Sequence, residues 1–415
     1  MHVIIIGNGI AGVNAASALS AHDALTVEIF AAENHPLYSR VRLPEVLSGA
    51  STSDAIAFYK SEWYEQKKIT VHTGKTVASV SPTGKEITLA DGTRVSYDCL
   101  ILATGASANR PGLPGANLPG VFTLRTMDDV ASIRSHLAQY GDTASVIGGG
   151  LLGLEAARAL KDAGAKKVRV FEIAPRLLPR QLDETGAALL QKRFEAMGIE
   201  VLCGVETEGF FADDARRAAG IVLKDGRKFQ SDVTILSMGV HSNTELAKDA
   251  GLAVNRGIVV DNRMRTSDPS IYAVGDCAEF EGIVWGIIPA ALEQAPVAAK
   301  AILASCKAIA GDQAPLYVQT VPKTALKVGE IEMMSLGKAV LTSEESSSGA
   351  YGIKSRVWDD FSRYEKFVFS PAPGGKGAIL AGAILYGSKK HQGTVQKMMG
   401  LPVSAQEIDI LLGDE

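Results

Sequence analysis

Two strand–turn–helix units with G-x-G-x-x-G spacing, a hairpin that recurs without gaps, and a change of texture near residue 314 predict an α/β fold. The expected architecture is two Rossmann-like dinucleotide-binding domains, the second inserted in the first, followed by a C-terminal α+β domain. The chain opens on the first unit, MHVIIIGNGIAG. Residues 3–6 form a β-branched run that reads as a strand buried on both faces. Gly7, Gly9 and Gly12 follow, and residues 13–19 read as a helix. Each glycine has a reason: Gly7 permits the tight strand-to-helix turn, Gly9 lets the backbone approach a pyrophosphate, and Gly12 lets the helix lie close on the strand. The helix N-terminus then offers unpaired N–H groups and a positive dipole end to phosphates. The alternative is a turn with chance glycines; the strand before and the helix after weigh against it.

The remaining elements follow in order. Residues 26–31 form the second strand, and Glu33 lies just beyond it, 26 residues after Gly7, where an acid accepts hydrogen bonds from a ribose. Arg40 and Arg42 come soon after, in PLYSRVRLPEVLSG; a guanidinium suits phosphate because its planar fork donates two parallel hydrogen bonds, although both can equally be ordinary surface arginines. In residues 87–105, Asp91-Gly92 marks a hairpin turn, residues 100–103 a buried strand, and Thr104-Gly105 its end. Residues 109–119 read as a linker. The opening motif then returns: a strand at 144–147, Gly148, Gly150 and Gly153, a helix at 154–163, and a strand at 168–171 that Glu172 ends. Residues 221–239 match 87–105 without a gap, with Asp98 and Asp232 at the same place.

Residues 272–274 form a short strand closed by Gly275-Asp276, and residues 287–304 carry an apolar helical pattern starting near Pro289 or Pro296. Beyond residue 314, strands are expected at 318–341, 352–358, 364–369 and 382–385, an exposed loop at 343–349, and short helices at 393–399 and 405–411. The expected domains are 1–110 and 241–313 for the first dinucleotide site, 111–240 for the second, and 314–415 for the C-terminal part.

Composition agrees with this reading. At 415 residues the chain is long enough for about two to three domains, and 46% hydrophobic content supplies large cores. A net charge of -4 argues against a nucleic-acid surface. Cys99, Cys203, Cys277 and Cys306 are scattered, which suggests neither a disulfide framework nor a metal site. The first strand starts near residue 2, leaving no room for a signal peptide, and no apolar run reaches about 18 residues, so a soluble cytoplasmic protein is expected.

Together, GNGIAG (7–12), ATG (103–105), GGGLLG followed by Leu154-Glu155, and YAVGDCA (272–278) resemble the FAD-dependent pyridine nucleotide-disulfide oxidoreductases, over roughly residues 2–310. The segments YSRVRLPEVLSG, WGIIPAALEQAPVAA and PKTALKVGEIEMMSLG look most like rubredoxin reductases and the flavin-binding part of assimilatory nitrite reductase. The resemblance implies FAD in the first module and NADH, more than NADPH, in the second. Gly7, Gly9, Gly12 and Glu33 would hold the FAD pyrophosphate and ribose, and Arg40 and Arg42 would lie near the pyrophosphate. Thr104, Gly105, Gly275, Asp276 and Ala291 would complete the flavin site, with Asp276 on the ribityl chain and the helix of Ala291 aimed at the flavin N1/O2 edge. Gly148, Gly150, Gly153 and Glu172 would hold the nicotinamide nucleotide. Glu172 lies 24 residues after Gly148, where a carboxylate accepts from a 2′-hydroxyl and repels a 2′-phosphate; Arg176 stands close by. Glu155 would sit near the reacting rings, its alternative being an exposed helix acid.

The departures refine the expectation. There is no C-x4-C, and no cysteine at all before Cys99, so the redox-active thiols of the disulfide reductases and of the single-cysteine branch are missing. Cys277 reads as packing. Many ferredoxin-reducing relatives carry lysine where Glu45 stands; lysine favours an anionic flavin and Glu45 opposes it. The implied function is hydride transfer from NADH to flavin N5 and electrons onward, with Glu155 and Glu45 as catalytic candidates. The expected partner is a small redox protein such as rubredoxin or ferredoxin, or a small-molecule acceptor, and the expected state is a monomer or homodimer. Rival readings are an NADH oxidase, a reductase of quinone, metal or nitrite, or a flavoprotein subunit active only within a complex.

Overall fold

The run His2–Ile6 lies between two parallel neighbours, Thr26–Phe30 and Cys99–Leu102, and Val3–Ile6 are all buried, as strands covered on both faces require. The computed structural model that gives this pairing describes residues 1–306, 315–320, 324–328, 331–358, 362–372, 377–388, 390–404 and 407. Ile69–His72 and Ile271–Ala273 complete a five-stranded parallel sheet in the order 271–273, 99–102, 2–6, 26–30, 69–72. Numbered along the chain this is 5-4-1-2-3, a doubly wound order. The sheet belongs to a first unit made of Met1–Arg42, Ser51–Asn109 and Gly239–Val321. Helix Ile10–Leu19 packs against helix Ile288–Ser305 within this unit. The latter begins beside Pro289 and carries Pro296 inside it; burial of its Ala291, Ala295, Ala298 and Ala299 face holds it together across the missing N–H.

The second unit comprises Leu43–Ala50, Arg110–Met238 and Pro322–Glu415. Its parallel sheet runs Ile199–Cys203, Lys167–Glu172, Thr143–Ile147, Val233–Leu236, Val121–Thr123. The repeat seen in the sequence is structural in both units. Counted by place across the sheet from Ile69–His72 or Ile199–Cys203, with Val233–Leu236 fourth and Val121–Thr123 fifth in the second unit, each has a three-stranded antiparallel meander leading into the fourth strand: Val77–Ser81, Glu86–Leu89 and Arg94–Ser96 in one, Thr207–Ala212, Ala218–Leu223 and Lys228–Gln230 in the other. The matched aspartates do the same task. Asp98 Oδ2 accepts from the His2 amide at 2.7 Å, and Asp232 Oδ2 accepts from the Thr143 amide at 2.9 Å, so each fastens the start of its unit's central strand.

Several sequence expectations shift. Both motif helices begin three residues early, at Ile10 and Leu151, because Gly9 and Gly150 are themselves the N-caps. Helices Leu43–Ser48, Met127–Tyr140 and Glu184–Ala196 carry no sequence assignment above; the second is started by a capping box between Thr126 and Asp129. Residues 315–320 have no regular structure, so the expected strand from 318 begins only at Thr324–Val328 and continues as Ile331–Gly337. Strands Gly352–Val357, Tyr364–Pro371 and Ala378–Tyr386, with Pro402–Val403, complete an antiparallel sheet, and Gln392–Met398 is a helix against it. The loop expected at 343–349 contains a short exposed helix, Ser343–Ser347, because Thr342 and Glu345 form a capping box. The helix expected at 405–411 lies outside the described residues apart from Glu407. No helix among the described residues is long and apolar enough to cross a membrane.

Within the second unit, the C-terminal sheet is tied to helix Glu184–Ala196 through that helix's N-cap, Asp183. Its carboxylate accepts from the Gly186 amide at 3.0 Å and from the Tyr364 hydroxyl at 2.6 Å, and pairs with the buried Lys366 ammonium at 2.9 Å. Burial alone pushes the Asp183 carboxyl up, but these donors outweigh it and hold the group below the usual carboxylate range. Asp183→Ala strands a buried ammonium and removes a cap, and is expected to cost about 3–5 kcal/mol; Tyr364→Phe should cost about 1 kcal/mol. Since the folded-state pKa is lowered, the stabilisation is full above the ordinary carboxylate pKa and fades as the pH falls through the lowered value. Urea unfolding at neutral and acidic pH checks this: the gap between wild type and Asp183→Ala narrows in acid.

Candidate functional site

The two glycine turns are built alike. Gly7 has φ +118° and Gly148 φ +113°, which only glycine takes easily, and a β-carbon would stand 2.1 Å from the Ala103 carbonyl oxygen or 2.3 Å from that of Ser237. A β-carbon on Gly12 or Gly153 would stand 2.0 Å from the carbonyl oxygen of Gly7 or Gly148. Gly9 and Gly150 differ: nothing lies within 4 Å of their missing β-carbons. Four glycines therefore let the turn close, and two keep an open cradle at a helix N-terminus, the arrangement that receives a phosphate. The residues present fit a dinucleotide at both places.

In the first unit the expected site residues follow the carboxyl ends of adjacent parallel strands. Gly7 follows His2–Ile6, Thr104 and Gly105 follow Cys99–Leu102, and Gly275 and Asp276 follow Ile271–Ala273. Gly275 has φ +80°, its β-carbon would meet that of Ala11 at 2.8 Å, and its amide donates to Gln294 Oε1 at 2.8 Å. Asp276 accepts at its backbone carbonyl from Ser242 Oγ at 2.7 Å. Thr104 is held by two bonds to Asn243, each 2.8 Å, and Asn243 also donates its amide to the Gly105 carbonyl. Ala291 is buried in the first turn of helix Ile288–Ser305. Glu33 accepts from the Tyr38 hydroxyl and pairs with Arg40. Arg42 donates to the Ala55 carbonyl at 2.9 Å and to Ser51 Oγ at 3.4 Å. Sequence reasoning missed Tyr38, Asn243 and Gln294. Only Gln294 left a signal, as a lone polar residue in the alanine-rich face of its helix.

In the second unit, Glu172 is buried and accepts from two backbone amides, Gly149 at 2.5 Å and Ala174 at 2.7 Å. Arg176 turns its guanidinium to the carbonyls of Leu182 and Pro179 in its own loop. Helix Leu43–Ser48 packs on helix Leu151–Asp162, and Arg134 donates to the Val46 carbonyl at 2.8 Å to hold the short helix in place. This packing brings Glu45 and Glu155 into electrostatic contact. Glu155 is half-buried, with no hydrogen-bond or ion-pair partner among the described residues, so it is not the exposed helix acid of the alternative reading. Burial first, and the charge of Glu45 second, push its carboxyl up to about 7.

Three of the four cysteines are inert in character. Cys277 is fully buried, and its thiol donates to the carbonyls of Leu102 and Val274, each at 3.3 Å. Burial raises its pKa, and pushes those of Cys99 and Cys203 up to about 11. Only Cys306 is exposed. A thiol-specific disulfide reagent should therefore label Cys306 fast in the native protein, with Cys277 reacting only on unfolding; fast labelling of Cys277 contradicts this burial.

A family model described as pyridine nucleotide-disulphide oxidoreductase matches residues 1–301. The nitrite reductase [NAD(P)H] of Bacillus subtilis (strain 168) is 36% identical over 392 residues, which are 94% of this chain and 46% of that protein. The chain thus spans about half the length of the curated relatives of this kind that it matches. The NADH-rubredoxin oxidoreductase of Clostridium acetobutylicum is 34% identical over 336 residues, 81% of each chain. Among solved structures, a ferredoxin reductase of Rhodopseudomonas palustris superposes with a TM-score of 0.83 at 27% identity, covering 100% of this chain and 98% of that one. With both glycine cradles inside the matched span, the chain belongs to the pyridine nucleotide-disulphide oxidoreductase family.

Proposed function

We propose that the chain is an FAD-dependent NADH reductase that passes electrons to a small redox protein of the rubredoxin or ferredoxin kind. The carrying observation is the pair of open glycine cradles, Gly9 and Gly150, each at a helix N-terminus and each backed by a strand-end acid. Residues 1–110 and 241–313 are assigned to FAD, and 111–240 to the nicotinamide nucleotide. Bound together, the cofactors supply the redox chemistry, hydride transfer from the nicotinamide to flavin N5.

The chain's own residues bind and orient. Gly7, Gly9 and Gly12 hold the FAD pyrophosphate at the start of helix Ile10–Leu19. Glu33, steadied by Tyr38 and Arg40, takes the adenosine ribose, and Arg40 and Arg42 supply positive charge nearby. Gly275 lets the chain approach the ribityl group, which Asp276 accepts from, while Thr104, Gly105 and Ala291 line the same strand ends. Gly148, Gly150 and Gly153 hold the nicotinamide nucleotide. The Glu172 carboxylate favours NADH over NADPH, and Arg176 spends its hydrogen bonds on the carbonyls of its own loop.

Rubredoxin and ferredoxin are the acceptors named for the Clostridium and Rhodopseudomonas relatives, and the lack both of a C-x4-C and of any cysteine before Cys99 weighs against a disulfide substrate. A second reading is supported by the Bacillus match: 94% of this chain aligns with less than half of a nitrite reductase, so the chain can be the flavin-bearing part of a nitrite-reducing assembly.

The deciding experiment extracts the flavin and measures turnover with NADH and NADPH against ferricyanide, rubredoxin, ferredoxin and nitrite. The expected result is FAD, a higher kcat/KM for NADH, and turnover with a small iron–sulfur or rubredoxin-type protein. Activity should stay within about tenfold when all four cysteines are replaced. Recovery of FMN alone, or a preference for NADPH, rejects the reading.

Glu155 generates a pH prediction. Above about pH 7 it is ionised, and negative charge favours the positive charge that grows on a nicotinamide ring as hydride leaves. The kcat/KM for NADH is expected to rise through an inflection near 7. Glu155→Gln should abolish the inflection, and Glu45→Gln should move it to lower pH by removing one of its two causes.

A further inference from the structure

We propose that Glu172 is a positioning residue for the second glycine turn, holding that turn in the shape that receives a phosphate, apart from any contact it makes with a ribose. The inference rests on the reading that this turn binds a nicotinamide nucleotide.

The geometry is a clasp closed on Gly149 from both sides. The Gly149 amide donates to Glu172 Oε2 at 2.5 Å, and the Gly149 carbonyl accepts from the Leu178 amide at 3.2 Å. Leu178 makes that bond from a left-handed conformation, φ +48°, unusual for a buried leucine, so packing and hydrogen bonding fix its place. A β-carbon on Gly149, the middle of three consecutive glycines, would stand 2.7 Å from Leu177 Cδ2 and 3.1 Å from Glu172 Cβ, so a side chain there would crowd the clasp. The other carboxylate oxygen accepts from Ala174 at 2.7 Å, starting the loop that carries Leu177 and Leu178 back to the turn.

Glu172 is buried and has no ion-pair partner among the described residues; backbone amides are its compensation, and bonds to a charged acceptor are strong ones. An ionised carboxylate has about four acceptor positions, so two amides leave room for a ribose hydroxyl as well. The first unit does this differently: Glu33 gives its carboxylate to Tyr38 and Arg40. The repeat therefore has a self-clasped turn in one copy and a side-chain-braced acid in the other. One consequence is that exchanging Glu172 to admit a 2′-phosphate also loosens the turn that holds the pyrophosphate.

Reduced nicotinamide mononucleotide separates the two roles, because it keeps the nicotinamide-side phosphate and has no adenosine ribose. With the FAD-loaded enzyme, Glu172→Ala should raise KM for this mononucleotide at least tenfold with kcat little changed, and Glu172→Gln, which keeps one acceptor, should fall in between. In the same proteins without nucleotide, amide exchange over residues 146–152 should accelerate at least tenfold in Glu172→Ala, while residues 2–12 exchange as in wild type. Unchanged exchange at 146–152, or an unchanged KM for the mononucleotide alongside a large loss with NADH, overturns the positioning role and leaves a ribose contact alone. Failure of NADH to protect residues 146–152 in wild type overturns the nucleotide assignment itself, and the inference with it.

Discussion

Twice in this chain a carbonyl oxygen occupies the place where a β-carbon would stand. Ala103 and Ser237, each just past the fourth strand of its sheet, press their carbonyls to within about 2 Å of the positions that side chains on Gly7 and Gly148 would fill. Gly12 and Gly153 then admit the carbonyls of Gly7 and Gly148. Strand, turn, helix and neighbouring strand can only close together if all four residues lack a side chain. That closeness aims each helix N-terminus past the carboxyl ends of its sheet, where unpaired amides and the positive dipole end face open space at Gly9 and Gly150.

The same architecture serves two ends because the fifth strand arrives differently. In the first unit it is Ile271–Ala273, near the end of the unit, followed by Gly275-Asp276 and by helix Ile288–Ser305, whose Gln294 holds the Gly275 amide. In the second it is Val121–Thr123, at the start, followed by the Thr126 cap and helix Met127–Tyr140. That helix steadies Leu43–Ser48 through Arg134. One copy thus gains a glycine-aspartate turn at its strand ends, and the other a short helix carrying Glu45 against Glu155. A duplicated frame diverged where its connections, not its sheet, were free to change.

What was legible in the sequence follows from what is local. Gly7 to Gly12, Asp91-Gly92 and the gapless match of Asp98 with Asp232 are short-range constraints written as spacing, and the sheets follow from them. Helix Leu43–Ser48 is six residues held by a distant arginine, and no periodicity announces it. Tyr38 and Asn243 became visible only once the chain had brought them to Glu33 and Thr104. The loop at 343–349 was misread because its Ser and Glu content hid a capping box. At the site, the residue types were legible and their partners were not: Glu172 could be placed at a strand end, but not closed on Gly149.

Glu155 shows what the fold gives up at such a site. A half-buried carboxyl beside a second carboxyl, with no donor among the described residues to offset it, is held near 7 when its unfolded value is about 4.5. A carboxyl whose folded pKa is raised contributes stability below the unfolded value and loses it as the pH climbs through the folded one. Near neutrality the fold therefore carries a group that opposes it. A lysine at position 45 would offset part of that opposition, since burial is its larger cause, and a glutamine at 155 would remove it without changing the shape. Asp183, in the same unit, meets burial with three donors and stays ionised. One carboxyl is compensated and joins a helix to a sheet; the other is uncompensated and lies on the helix that follows the second glycine turn, the pattern that marks a candidate for chemistry.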